Sequence, residues 1–252
     1  MNKTVLITGA TAGIGLAIAK SFAKQGDRLI LTGRRAERLQ ELRDSLPASV
    51  LPLNFDIRNL DEVQRAIQSL PESWRDIDIL INNAGLASGK DSIQSGQIED
   101  WDKMIDTNVK GLLYLSREIM PGMVRKKKGH IINIGSIAGK QVYPGGGVYC
   151  ATKFAVDALS QAMRIDLLPY GVKVTNVAPG AVETEFSMVR FKGDKEKADK
   201  VYQGYTPLTS EDIADIVMYV ANQPAHVTIN EIVVTATAQA NSHYLVRDSQ
   251  QG

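Results

Sequence analysis

The chain has a single cysteine, Cys150, among 252 residues, so no internal disulfide can form. That fits a cytoplasmic location, where thiols stay reduced. Its three histidines, His130, His226 and His243, stand far apart and have no metal-ligand spacing, so no metal is expected. An excess of one charge is also missing. Lys and Arg number 29 against 28 Asp and Glu, a net charge of +1, which argues against a nucleic-acid partner. The run Arg125-Lys126-Lys127-Lys128 closes a helical pattern, where cations suit the helix dipole. No stretch reaches the roughly 18 apolar residues of a membrane helix. The apolar run at 5–7 is too short for a signal-peptide core. These exclusions leave an ordinary globular chain, 44% hydrophobic and 23% charged, able to bury a large core.

Short β-branched runs at 5–8, 29–32, 50–55, 77–81, 130–134 and 172–177 predict strands buried on both faces. Helical patterns fall between them, near 13–25, 35–45, 60–70, 98–124 and 148–168. A last helix near 210–221 and a last strand near 227–234 complete the set. This alternation predicts an α/β fold: a single Rossmann-type doubly wound domain over 1–252, with a seven-stranded, mainly parallel sheet and helices on both faces. Residues 184–208 break the alternation. They are polar and follow the sixth strand, so they form either a substrate lid at the ligand-binding edge or a solvated surface excursion.

Thr8-Gly9-Ala10-Thr11-Ala12-Gly13-Ile14-Gly15 follows a strand and opens a helix. Gly9 permits a tight turn, Gly13 lets backbone approach a pyrophosphate, and Gly15 allows close helix–strand packing. The helix N-terminus adds free N–H groups and a positive dipole end. After the second strand an NAD site would carry a carboxylate for the ribose 2′-hydroxyl. Here stands Thr32-Gly33-Arg34-Arg35. Arg34 and Arg35 are either surface cations or guanidiniums for an extra 2′-phosphate, and NADP is the expected cofactor.

Tyr149 and Lys153, four apart in a helical pattern, share one face. An ammonium near the phenol favours phenolate and lowers its pKa, suiting it to exchange a proton with a substrate oxygen. Ser136 lies just past a strand at the carboxyl end of the sheet, where its hydroxyl can donate to a carbonyl oxygen. Asn108 falls on a buried stripe with Trp101, Ile105, Leu112 and Leu115. It is either a satisfied core asparagine, a partner for backbone freed at a kink, or the holder of a water beside Lys153. Cys150 is turned about 100° from Tyr149 and reads as a packed thiol.

In order along the chain, the glycine turn, Asn82-Asn83-Ala84-Gly85, Asn108, Ser136, Tyr149-Cys150-Ala151-Thr152-Lys153 and Pro179-Gly180 resemble the short-chain dehydrogenase/reductase family. The resemblance covers essentially the whole chain. It implies that Tyr149 is the general acid in carbonyl reduction, Lys153 bonds the nicotinamide ribose, Ser136 orients the carbonyl, and Asn108 holds a relay water. It implies cofactor contacts from Asn83, Ala84 and Gly85, from Asp56 to the adenine amine with Ile57 beside it, and from Pro179, Gly180, Val182 and Thr184 at the nicotinamide end. It also implies a homotetramer paired through the helices at 98–124 and 148–168. A narrower similarity, through Ile105-Asp106-Thr107-Asn108, the segment 130–136, the segment 184–194 and Pro224-Ala225-His226-Val227, points to the branch acting on serine and other 3-hydroxy acids with NADP. A carboxylate substrate needs a cation; Arg190 or Lys192 could supply it, or either could be plain surface charge. Two rivals remain: a reductase of 3-oxoacyl thioesters or other ketones, and a non-catalytic NADP-binding regulator.

Overall fold

The computed structural model describes residues 2–248. Seven strands make one all-parallel sheet in the order β3-β2-β1-β4-β5-β6-β7. They are β1 Thr4–Thr8, β2 Arg28–Gly33, β3 Val50–Asn54, β4 Ile79–Asn82, β5 Gly129–Ile134, β6 Val172–Pro179 and β7 Glu231–Val234. The helices are α1 Gly13–Gln25, α2 Ala36–Ser45, α3 Leu60–Gln68, α4 Ile98–Ile105, α5 Leu112–Lys126, α6 Gly147–Leu167, α7 Phe186–Arg190, α8 Lys195–Lys200 and α9 Ser210–Ala221.

Alternation along β1 shows why its run is apolar throughout. Val5 and Ile7 enter one core with α1 and α9, while Leu6 enters the other with α3, α5 and α6. The expectation of burial on both faces holds for central strands and fails at the edges. Strands β3 and β7 are only half-buried, because each has one neighbour. The last strand begins at Glu231 rather than 227. Residues 224–227 turn instead, and Lys173 Nζ ties down the carbonyls of Gln223, Pro224 and Val227.

The helix expected over 98–124 is interrupted. A π-helical turn, Asp106–Gly111, separates α4 from α5. Gly111 lies so close to Ile57 that a β-carbon would stand 2.9 Å from its Cγ2. Such turns widen a helix and re-aim its side chains. The excursion at 184–208 contains α7 and α8 and returns to the sheet edge where Val182 pairs with Leu208.

Candidate active site

The glycine turn is cross-tied to the end of β4. Thr8 Oγ1 accepts from Asn83 N at 2.9 Å and Ala84 N at 2.8 Å, and Asn83 Nδ2 donates to Thr8 O at 2.8 Å. Gly9 and Gly13 adopt φ of 65° and 51°, a region costly for any side chain. A β-carbon on Gly15 would sit 2.4 Å from Gly9 O, so helix and strand meet only through glycine. Ala12 caps α1 without a side-chain bond, leaving the first N–H groups facing the cleft. Gly9, Thr11, Ala12, Gly13 and Ile14 line that cleft of about 400 Å³. Ala10 and Gly15 do not; both are buried beneath it, and Ala10 N donates to Thr32 O.

At the end of β2, Arg34 is exposed and makes no hydrogen bond among the described residues, while Arg35 is engaged. Its Nε donates to Thr11 Oγ1 at 3.0 Å and its Nη1 pairs with Glu185 at 2.9 Å. Arg38 joins them, with Nη1 3.1 Å from Glu185. Sequence reading missed Arg38 and Glu185. The i,i+3 spacing of Arg35 and Arg38 was the one local signal. Asp56 and Ile57 line the cleft, but both Asp56 oxygens accept from Arg58, whose guanidinium holds the acid below the usual carboxylate range despite partial burial. Its lone pairs are thus largely engaged before any adenine arrives.

Tyr149 and Lys153 sit near the start of α6, with 9% and 7% exposure, and Lys153 Nζ lies 6.0 Å from the Tyr149 ring centroid. The ammonium donates to Ile134 O at 2.9 Å. Burial brings Lys153 down to about 8. It pushes the Tyr149 phenol well above the ordinary range, with Tyr143 adding to the push and Ser136 and Arg190 pulling against it. The anticipated lowering by Lys153 is therefore not a property of this state: its charge is turned to Ile134 and desolvation dominates. Ser136 Oγ accepts from Ala138 N at 3.1 Å and reaches Pro179 O at 3.4 Å, leaving weak commitments for a hydroxyl at the cleft wall.

Asn108 is buried with its side-chain amide fully bonded. Set inward by the π-turn and 2% exposed, its Oδ1 accepts from Leu86 N and its Nδ2 donates to Leu86 O, both at 2.8 Å, and to Thr152 Oγ1 at 3.0 Å. The backbone it serves belongs to the loop after β4, not to its own kink. It lies outside the cleft lining, behind Gly85, where a β-carbon would stand 3.3 Å from Asn108 Oδ1 and 3.6 Å from Lys153 Nζ.

Asn83, Ala84, Gly85, Pro179, Gly180, Val182 and Thr184 all reach the cleft. Thr184 lies against Gly13, beside the phosphate turn. The phenyl ring of Phe186 meets Tyr149 edge-on, with centroids 5.7 Å apart. Arg190 turns inward but is not among the residues that line the cleft. Its Nη1 donates to Tyr143 OH at 3.0 Å, its Cζ lies 6.0 Å from the Tyr149 ring, and its Nη2 is buried without a partner. It is not a plain surface cation. Lys192 faces away and pairs with buried Asp100 at 2.7 Å, so it is not at hand for a substrate.

This donor set suits a phosphorylated dinucleotide: backbone bared by glycine, an open helix N-terminus, and three arginines around one corner. The family model described as short chain dehydrogenase matches residues 3–195. An NADP-dependent 3-hydroxy acid dehydrogenase of Salmonella typhi is 52% identical over 237 residues, 94% of this chain and 96% of that protein. A serine 3-dehydrogenase of Agrobacterium fabrum is 42% identical and covers 98% of both chains. A solved structure described as the closed form of serine dehydrogenase complexed with NADP+ superposes with a TM-score of 0.92. It is 48% identical and covers 98% of this chain and 100% of its own.

Proposed function

The chain belongs to the short-chain dehydrogenase family, and from that premise we propose that it is an NADP(H)-dependent oxidoreductase interconverting small 3-hydroxy acids, such as serine or 3-hydroxypropionate, and their 3-oxo forms. NADP, when bound, accepts or supplies the hydride. Its pyrophosphate would rest on Gly9–Ile14 and the start of α1, and its 2′-phosphate among Arg34, Arg35 and Arg38. Tyr149 exchanges the proton at the substrate oxygen, and Ser136 donates to that oxygen and holds it. Lys153 sets the charge beside the phenol, and Asn108 acts by keeping the Leu86 loop and the wall behind Lys153 in place. Residues 184–208 form the lid of a single domain.

The observation that carries the substrate class is the unpartnered, buried Nη2 of Arg190 next to the Tyr149 ring. A buried guanidinium group left without an acceptor is costly, and a substrate carboxylate satisfies it. Steady-state turnover with NADP+ and serine or 3-hydroxypropionate tests the reading against acetoacetyl thioesters with NADPH. Acid oxidation is expected to dominate. Arg190→Gln should raise KM for the acids about tenfold or more, with little change for their methyl esters. Turnover of thioesters without turnover of acids would overthrow the assignment. Exposed Phe154, Ile165 and Leu168 on and just after α6 support pairing of copies through this region into a homotetramer, which sedimentation would report as four times the chain mass.

A further inference from the structure

Glu185 sits at the rim of the cleft, one residue before α7, and none of the roles above uses it. One of its oxygens accepts from Arg35 Nη1 at 2.9 Å and the other from Arg38 Nη1 at 3.1 Å. Both arginines are braced on the phosphate turn, Arg35 through Thr11 Oγ1 and Arg38 through Thr11 O. The two cations hold the Glu185 acid below its ordinary range. An anion is therefore already seated between two guanidiniums at the end of β2, where a 2′-phosphate belongs. That anion is part of the lid.

We propose that Glu185 is an internal substitute for the 2′-phosphate of NADP, and that the phosphate takes Arg35 and Arg38 from it on binding. The inference rests on the NADP assignment above. The side chains of Arg35, Arg38 and Glu185 are 42%, 46% and 52% exposed, so the ion pairs are screened and weak enough to exchange. A phosphate monoester carries roughly 1.5 to 2 negative charges and three acceptor oxygens against the single charge of a carboxylate. It therefore competes well for two forks, and like-charge repulsion keeps Glu185 from sharing them.

Two consequences follow from the placement. NAD has no group to set between the arginines, so Glu185 weakens the binding of NADP and leaves that of NAD alone. Glu185 is also followed directly by Phe186, whose ring meets Tyr149. Its release loosens the base of the lid beside the catalytic phenol, while Lys192 and Asp100 still hold the far end of α7. The cofactor's most distant phosphate is thereby sensed at the substrate side of the cleft.

Calorimetric titration of the full chain with 2′,5′-ADP and with 5′-ADP tests this without turnover. Glu185→Gln and Glu185→Ala should each bind 2′,5′-ADP about fivefold more tightly than the native chain, with 5′-ADP unchanged. The gain should shrink as salt is raised. In limited trypsin digestion, 2′,5′-ADP should speed cleavage after Arg190 and Lys192 in the native chain, and add nothing in Glu185→Gln. If both variants bind 2′,5′-ADP equally well or more weakly than native, Glu185 is a bystander or a brace for the arginines. The inference then falls while the NADP assignment stands. A native chain that binds both nucleotides alike would remove the assignment and the inference together.

Discussion

On the floor of the cleft and just beneath it, Asn83 and Lys153, with Thr8 and Asn108 behind them, direct polar atoms to backbone groups through buried or half-buried bonds of 2.8–2.9 Å. Across the cleft, backbone bonds tie the 184–208 segment at Arg190 and Leu208, and ion pairs between side chains add to them. Arg35 and Arg38 hold Glu185 at one end of α7, and Lys192 holds Asp100 at the other. The two regions face the same cleft but use different physics. A buried bond to backbone fixes a group in one place, because leaving either partner unmet costs about 1–3 kcal/mol. An ion pair with exposed members contributes about 0–1 kcal/mol and can be exchanged for another charge. The floor therefore holds Tyr149, Lys153 and their neighbours in register, while the Glu185 ion pairs of the segment over it can exchange partners.

The sharpest way to probe the floor is at the phenol. Tyr149→Phe should lower turnover by about 10²- to 10⁴-fold. Because the ring and its contact with Phe186 remain, NADPH affinity by fluorescence titration should stay within about twofold. Survival of turnover would place the proton donor elsewhere.

Next in size is Asn108→Ala, which strands the N–H and C=O of Leu86 and removes the donor to Thr152 Oγ1. Urea unfolding should show a loss of about 2–4 kcal/mol. An asparagine whose loss costs under about 0.5 kcal/mol would not be a clamp, and the contrast between floor and lid would weaken.

Lys153 gives the floor a pH signature. Its folded pKa of about 8 lies below the 10.5 of an unperturbed lysine, so between these values the folded chain binds fewer protons than the unfolded one. Stability must then rise with pH across that window, at up to about 1.4 kcal/mol per pH unit. Lys153→Met should lack that rise when unfolding free energies are compared between pH 7.5 and 9.5 at roughly half-unit steps. Parallel curves for both chains would mean the ammonium is hydrated.

The smallest effect is expected from the 184–208 segment. Burial works to raise the Asp100 acid, but Lys192 and Ser88 together hold it below its ordinary range. A depressed folded pKa contributes stability above the unfolded value of 3.8, which disappears as pH falls through the folded value. Lys192→Gln should therefore lower stability slightly at neutral pH and leave it unchanged in acid, as read by urea unfolding at the two pH values. A loss as large as that of Asn108→Ala would show the lid to be as firmly built as the floor.

Much of the floor was legible in the chain because its requirements are local. Three glycines where a strand turns into a helix announce an anion turn, since Gly9 and Gly13 take positive φ and Gly15 has no room for a β-carbon. The four-residue spacing of Tyr149 and Lys153 needs nothing but a helix. Other features were hidden by separation along the chain. Asn108 finds Leu86 22 residues away, and Glu185 finds Arg35 150 residues away. No periodicity announces such pairs. The π-turn that sets Asn108 inward was equally invisible, because its stripe fits an unbroken helix. Arg190 was readable either as a cation for a substrate or as surface charge, and only the fold of α7 turns it toward Tyr143 and Tyr149.

The order of strands and helices, the glycine turn and the placing of Tyr149 and Lys153 on one helix face were determined by the sequence itself, since each depends on neighbours within a few residues. The burial that lifts the Tyr149 phenol and lowers Lys153, the edges where strands are only half covered, and the partners of Asn108, Glu185 and Arg190 were decided only when the sheet closed over them. Desolvation and charge pairing depend on distances through space, and a linear chain does not contain those distances until it is packed.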